Sequence, residues 1–370
     1  MLRDLTIQNY RLFKDFHIDE LARVNLIVGK NNSGKTSLLE SIYLLVEKGD
    51  TNVFLKVLCS RDDSNEYYDP SFDSVIKRGL LPDTPWQISN LFHDHNYVAS
   101  NQILIKSNKD QDLRLRIILD DWQRIEISQF DKFSSLNFPP AFGLLFLYTR
   151  GKINLKNLIP VDKNGLIQTS HLLNVSHQSR PQAISNQFIV STNLSYNQLA
   201  SSWDKISLTS EESTVIKALQ IVEPDVERIN FLSQPTSLGR AIVRLKGRDK
   251  PVPLNVMGDG MRRILGLAIT TVTSEDGVLL VDEIDTGLHY QTQTDMWRLI
   301  VKTAQRLNVQ VFATTHSWDC ISAFQEVLSE SSDPSVGKLF RLSARGEEIR
   351  AIPYTAEELA VAVPESIEVR

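Results

Sequence analysis

Apolar and polar positions along the chain switch between two periods. Leu5-Thr6-Ile7-Gln8-Asn9-Tyr10 alternates apolar and polar side chains, the pattern of a half-buried strand. Val24–Val28 is a continuous apolar run that ends at Gly29, which predicts a buried strand entering a turn. From Lys35 to Val46 the apolar residues Leu38, Leu39, Ile42, Leu45 and Val46 recur at helical spacing. The opening order is therefore strand, glycine loop, helix. Val53–Cys59 predicts a further helix, Arg61–Pro70 and Pro82–Pro85 polar loops, and Ile103–Ile105 and Leu113–Leu119 antiparallel strands. Asn137–Pro140 and Asn154–Arg180 carry few periodic signals and are expected to be loops. Leu194–Ile229 is expected to be helical: Thr209 and Glu212 can form a capping box ahead of Val215, Ile216, Leu219 and Val222, and Pro224 closes the helix.

The last third alternates. Met261–Thr271 predicts a helix, Val278–Val281 a buried strand, Thr292–Leu307 an amphipathic helix and Val309–Ala313 another buried strand. Helices alternating with continuously apolar strands imply a parallel sheet covered by helices. No heptad or longer internal repeat is evident.

Composition narrows the function classes. The 370 residues carry 40 Lys+Arg against 45 Asp+Glu, a net charge of −5, which excludes a globally basic surface but not a local basic patch. Two cysteines, Cys59 and Cys320, give neither a disulfide framework nor zinc-ligand spacing, so a cytoplasmic location is expected. The first residues lack the apolar stretch of a signal peptide, and the longest apolar runs are too short to cross a bilayer, so no membrane partner is expected.

Gly29-Lys30-Asn31-Asn32-Ser33-Gly34-Lys35-Thr36 satisfies G-x-x-x-x-G-K-[ST] at every defined position, with Ser37 next in the helix. The glycines let backbone N–H groups curl around phosphate oxygens, and the helix that follows adds its positive end. Lys35 is placed to reach the β- and γ-phosphates and Thr36 to ligate Mg²⁺, so ATP and Mg²⁺ are the expected ligands. Val278-Leu279-Leu280-Val281-Asp282-Glu283 is a Walker B arrangement: the apolar strand delivers Asp282 to the metal, and Glu283 stands where a carboxylate can polarise water. A third strand ends in Thr314-Thr315-His316-Ser317, and His316 is the candidate γ-phosphate sensor and partner of Glu283. Met257-Gly258-Asp259-Gly260-Met261-Arg262-Arg263 offers a second glycine-rich helix N-terminus. A chain that already has a P-loop would use this second cradle on a partner's ATP.

Together these motifs resemble the ATP-binding-cassette (ABC) class of P-loop ATPases, in its RecF/SMC/OLD-like branch. Leu5–Lys14 followed by Asn25–Asn32 resembles that branch's opening, and Asp282–His289 resembles the Walker B and D-loop of compact bacterial AAA-type ATP/GTP phosphatases. The resemblance implies an α/β P-loop NTPase fold: an ABC-ATPase head with a mixed sheet, an antiparallel β portion and an inserted largely helical lobe. It implies a single domain over 1–370, with a Walker A lobe at 1–127, an inserted lobe at 128–236 and a signature, Walker B and switch-histidine lobe at 237–370. It also assigns Gly258, Asp259, Gly260 and Arg263 to a signature loop acting in trans, His289 to the D-loop and His316 to the switch histidine. Gly258 stands where the usual signature has Ser, and no Q-loop glutamine can be placed between Gln87 and Gln102. A Toprim nuclease, usual after the ATPase in OLD-like proteins, is not expected in the 54 residues after His316.

Arg240, Arg244, Lys246, Arg248 and Lys250 alternate with apolar residues, so one strand face could track a nucleic-acid backbone or simply face solvent. The expected function is an ATP-hydrolysing switch, a homodimer or higher oligomer closing around two ATP molecules. It would drive DNA or a separately encoded effector, a nuclease or toxin, in phage defence or DNA repair. The alternatives are an ATP-dependent scaffold with little hydrolysis and a transporter ATPase subunit. A GTPase is disfavoured because Asn108-Lys109-Asp110-Gln111 lacks the final Asp of the guanine-reading motif.

Overall fold

The computed structural model describes residues 1–59, 86–93, 95, 98–109, 112–126, 140–167, 186–189, 196–236 and 239–370. In chain order the first elements are β1 (Leu5–Tyr10), β2 (Phe13–Ile18), β3 (Val24–Gly29), α1 (Lys35–Val46), α2 (Thr51–Cys59) and β4 (Trp86–Gln87). They are followed by β5 (Asn101–Ser107), β6 (Leu113–Asp121), β7 (Phe142–Arg150), β8 (Ile153–Val161), β9 (Leu166–Ile167) and β10 (Gln187–Ile189). Then come α3 (Tyr196–Ile206), α4 (Ser210–Leu219), β11 (Val226–Thr236), β12 (Gly239–Leu245), β13 (Val252–Pro253), α5 (Asp259–Thr273) and β14 (Val278–Val281). The chain ends with α6 (Tyr290–Arg306), β15 (Gln310–Thr314), α7 (Trp318–Glu330), β16 (Gly337–Arg345), β17 (Glu348–Tyr354) and α8 (Ala356–Ala362).

These elements form two compact units. The first comprises Met1–Leu21, Asn31–Ala183 and Leu342–Ala351. Its main sheet is antiparallel, with strand order β2-β1-β5-β6-β7-β8. Period-two alternation buries Leu113, Leu115, Ile117 and Leu119 of β6 and turns Arg114 and Arg116 outward. On the buried side Phe54 of α2 meets Phe146 of β7 edge-on, with ring centroids 5.0 Å apart. Of the near-miss guanine motif, Asn108 and Lys109 lie among the described residues. Asn108 N–H and Lys109 N–H donate to the buried Asp4 carboxylate at 3.1 and 3.0 Å, and the Ser107 hydroxyl donates at 2.7 Å.

The second unit comprises Ala22–Lys30, Ile184–Arg341 and Ile352–Arg370. Its strands β10, β14, β15 and β3 lie side by side in that order and pair in parallel. Every residue of β3, β14 and β15 is buried, as their continuous apolar runs require. α5 and α6 bury Met261, Ile264, Leu265, Met296, Trp297 and Ile300 in the same core. The expected α/β class with a parallel sheet holds. Among the described residues no helix is long and apolar enough to cross a membrane.

Two expectations need correction. Ile153–Val161 is strand β8 and not loop: it pairs along its whole length with β7, although only Leu158–Val161 is buried. The helical reading of Leu194–Ile229 stops early, because Val226–Ile229 opens β11, paired with β12. Thr209 does cap α4, but its oxygen accepts from Glu211 N–H, and the Glu212 carboxylate reaches Leu208 N–H, one residue before the box position. The loops expected at 61–70, 82–85, 137–139 and 168–180 lie outside the described residues.

Candidate nucleotide site

The phosphate loop leaves β3 at Gly29 and enters α1 at Lys35. Gly34, the residue before the helix, has φ +94°, and a Cβ there would lie 2.9 Å from Phe13 Cζ. Both facts demand glycine. The first turn of α1 holds no acidic residue to offset the positive helix end. Ser33 Oγ is buried and has no hydrogen-bond partner, so this loop holds an orphaned polar atom where the motif places phosphate. Lys30, Asn31 and Asn32 are exposed, Thr36 is half-buried, and Lys35 and Ser37 are buried.

The parallel register fixes where the acids stand. Thr314 of β15 pairs with Ile27 of β3, and Ala313 pairs with Val281 of β14. The carboxyl ends of these three strands therefore open at one edge of the sheet, the side from which ligands approach open α/β sheets. The Asp282 carboxylate there is 8% exposed and accepts from the Thr314 hydroxyl at 2.5 Å. The same hydroxyl accepts Glu283 N–H at 2.8 Å, so one side chain orients both acids. Glu283 itself has φ +49°, an unusual conformation for a side-chain-bearing residue, and Thr286 Oγ1 donates to its carboxylate at 3.3 Å.

Next along the strand end, the Thr315 hydroxyl donates to Asp285 at 2.5 Å and accepts Ser317 N–H at 2.9 Å. His316 follows and is exposed. Cys320, on the first turn of α7, is buried, and burial beside Asp285 pushes its thiol pKa up to about 12, which keeps it protonated and unreactive.

The glycine-rich loop before α5 is exposed at Gly258 and Asp259. Gly258 has φ +88°, so the serine of the usual signature would be strained here even though the space around it is open. A Cβ on Gly260 would meet Gly287 O at 3.0 Å, so this loop and the Asp285–His289 segment touch within the unit. His289 caps α6, accepting Gln291 N–H at 3.4 Å, and packs on Tyr290 with ring centroids 4.4 Å apart. Arg263, assigned by resemblance to a nucleotide across a dimer, is 2% exposed and donates within its own chain to Asp282 O at 2.9 Å and Glu283 O at 2.7 Å. Burial lowers its pKa, and Asp285, Asp282 and Glu283 partly restore it.

Sequence reasoning missed Thr314, Thr315 and this role of Arg263. The signal for the first two was the pair of hydroxyls at a buried strand's carboxyl end; none marked Arg263. It also missed Glu40 of α1, fully buried, which accepts from Tyr10 Oη at 3.1 Å and pairs with Arg11 Nε at 2.8 Å. Burial opposes the charge on Arg11, yet Tyr10 and Glu40 raise its pKa on balance.

The basic alternation around Arg244 is only partly a strand. β12 ends at Leu245, so Lys246 and Arg248 fall in the turn about Gly247, which has φ +71°. Arg244 pairs with Glu227 at 3.4 Å, and the Arg240 side chain lies outside the described residues.

A family model described as "AAA domain, putative AbiEii toxin, Type IV TA system" matches residues 24–319. A Helicobacter pylori protein named ATP/GTP phosphatase is 24% identical over 385 aligned positions, covering 97% of each chain. The DNA replication and repair protein RecF of Clostridioides difficile is 48% identical over 81 residues, 22% of each chain. Among solved structures, an SMC head bound to the C-terminal winged-helix domain of ScpA aligns over 97% of this chain and 99% of that one, at 11% identity and a TM-score of 0.48.

Proposed function

The chain belongs to this AAA domain family of P-loop ATPases, and we propose that it is a two-subunit ATP switch. In this reading the loop from Gly29 to Thr36 holds the phosphates, with Lys35 against the β- and γ-phosphates. Thr36 and Asp282, a hydroxyl and a carboxylate, are a donor set suited to Mg²⁺, and the orphaned Ser33 hydroxyl fits a phosphate oxygen. Mg²⁺ held there supplies charge neutralisation at the phosphates. Glu283 takes a proton from the attacking water, and His316 senses the γ-phosphate. The exposed loop Gly258–Gly260, with its helix end, caps the ATP of a second subunit; Arg263 supports this from below by holding the backbone of its own Asp282 and Glu283.

The observation that carries the reading is the shared sheet edge at which β3, β14 and β15 end. The switch would pass its motion to nucleic acid or to a separately encoded nuclease or toxin, in phage defence or DNA repair. The full-length relative named ATP/GTP phosphatase supports hydrolysis, and the RecF-like segment supports a nucleic-acid role.

The test is ATP turnover by the wild type and Glu283→Gln, with GTP in parallel and light scattering to follow mass. Loss of a general base predicts a fall of about 10²–10⁴-fold, with accumulation of an ATP-bound dimer. Equal turnover in both proteins removes Glu283 from the chemistry. Binding with no turnover in either leaves an ATP-dependent scaffold.

A further inference from the structure

The segment after α8 returns to the turn that carries His316. α8 starts at a complete capping box: Thr355 Oγ1 accepts Glu358 N–H at 3.2 Å, and the Glu358 carboxylate accepts Thr355 N–H at 2.7 Å. Beyond the helix Ile367 N–H donates back to Ala362 O at 2.8 Å, and residues 364–368 are exposed. Val369 is then fully buried, in the core that contains Ile321 and Phe324 of α7. A buried valine after a run of exposed residues is an anchor, because pulling it out exposes apolar surface. It fixes where the next side chain begins.

That side chain is Arg370. The Glu368 carboxylate accepts its Nε and Nη2, both at 2.9 Å, the two-pronged geometry that suits arginine and not lysine. This pairing occupies one edge of the guanidinium and leaves Nη1 for another acceptor. Nη1 donates to His316 O at 3.4 Å, and the guanidinium carbon lies 5.7 Å from the centre of the Trp318 ring. The charge is already paired with Glu368, so the guanidinium offers the turn a directed donor and not a free cation.

The residues on either side of His316 are held from elsewhere. Thr315 N–H donates to Ile27 O at 3.2 Å, and the Thr315 hydroxyl donates to Asp285. Ser317 caps α7, its hydroxyl accepting Cys320 N–H at 3.3 Å. The His316 carbonyl, by contrast, is bound by a residue 54 positions away. With Ser317 fixed by the helix, a rotation of the peptide between the two residues would swing the exposed imidazole.

We infer that Arg370 is a positioning residue for His316, holding the 316–317 peptide plane so that the imidazole meets the γ-phosphate already aimed. Glu368 orients the guanidinium, and Trp318 supports its face. This role rests on the proposed reading of His316 and adds to it the group that directs it.

The test is steady-state ATP turnover and equilibrium ATP binding by the full chain, with Arg370→Ala, Arg370→Lys, His316→Ala and the double alanine variant, each also melted. Arg370→Ala is expected to lower kcat at least about fivefold, as misplaced groups slow catalysis, while the ATP dissociation constant stays within about twofold. Arg370→Lys keeps a donor and a cation near Trp318 but loses the two-pronged hold of Glu368, so its kcat should fall between wild type and alanine. His316→Ala should lower kcat at least as far, and adding Arg370→Ala to it should slow turnover no further. A purely structural role would instead lower the melting temperature and slow the His316→Ala protein again. The positioning role is overturned, with the reading of His316 intact, if His316→Ala is slow while Arg370→Ala turns over like the wild type. Full additivity of the two substitutions overturns it as well. Wild-type turnover in His316→Ala removes the reading of His316 and the positioning role together.

Discussion

Thr314→Val is the substitution that isolates how the acids at the sheet edge are held. Valine matches threonine in shape, so β15 keeps its packing and loses only a hydroxyl. That hydroxyl donates to Asp282 Oδ1 at 2.5 Å and accepts Glu283 N–H at 2.8 Å. A hydrogen bond to a charged group contributes about 1.5–3 kcal/mol, and a buried N–H left without a partner costs about 1–3 kcal/mol. The total is about 2.5–6 kcal/mol, divided between global stability and the geometry of the two acids. Thr314→Ser keeps the hydroxyl and loses one methyl, about 0.8 kcal/mol. Two readouts separate the shares: a thermal melt, and ATP turnover titrated with Mg²⁺. The valine variant should melt clearly below the serine variant, and its half-saturating Mg²⁺ concentration should rise at least tenfold, equivalent to about 1.4 kcal/mol. If valine and serine variants coincide in both measurements, the hydroxyl does not position Asp282 and the reasoning is refuted.

Gly34→Ala should lose nucleotide binding, since its Cβ falls 2.9 Å from Phe13 Cζ at φ +94° and backbone strain of this kind costs about 1–3 kcal/mol; equilibrium binding of a fluorescent ATP analogue checks it. Arg263→Leu should lower the melting temperature and turnover together, because two carbonyls lose a charged donor at about 1.5–3 kcal/mol each; full activity in a stable variant would contradict the bridge. Asp4 gives a pH signature. Burial alone would raise its pKa, but Lys109 N–H, the Ser107 hydroxyl and Asn108 N–H hold it below the ordinary 3.8. Its contribution is therefore complete above that ordinary value and is lost as pH falls through the lower folded value. Asp4→Asn should cost about 1–3 kcal/mol at neutral pH and flatten the acid limb of a stability–pH curve.

Contiguous features were legible from sequence and distant pairings were not. β3, the glycine loop and α1 were readable end to end because a continuous apolar run, a fixed motif and a helical period follow one another without interruption. β14 and β15 were readable for the same reason, since strands buried on both faces must be apolar throughout. β8 was missed because Asn154, Lys156 and Asn157 are poor strand formers, and the pairing with β7 overrides them. The helical stretch was carried past Pro224 to Ile229, and only pairing with β12 makes Val226–Ile229 the start of a strand. The basic alternation was followed too far because period two persisted into a turn that Gly247 closes. Asp282 and Glu283 were evident as a motif, while Thr314 and Arg263, 32 and 19 positions away, become partners only through the fold.

The placement of Glu283 shows which forces set its geometry. Holding a residue with a side chain at φ +49° costs about 1–3 kcal/mol. Against this stand the Glu283 N–H bond to Thr314 and the two bonds from the Arg263 guanidinium to the carbonyls of Asp282 and Glu283. At about 1.5–3 kcal/mol for each bond from the cation, the bonds outweigh the strain, so Glu283 is held by α5 and β15 and not by its own backbone preference. The N-terminal turn of α5 also lies close to this place, since a Cβ on Gly260 would stand 3.0 Å from Gly287 O. The Gly258–Gly260 loop thus lies against the Asp285–His289 segment and leads into the helix that carries Arg263. Under the proposed switch, a second subunit's ATP seated on that loop would act on the catalytic carboxylate through contacts already present within one chain.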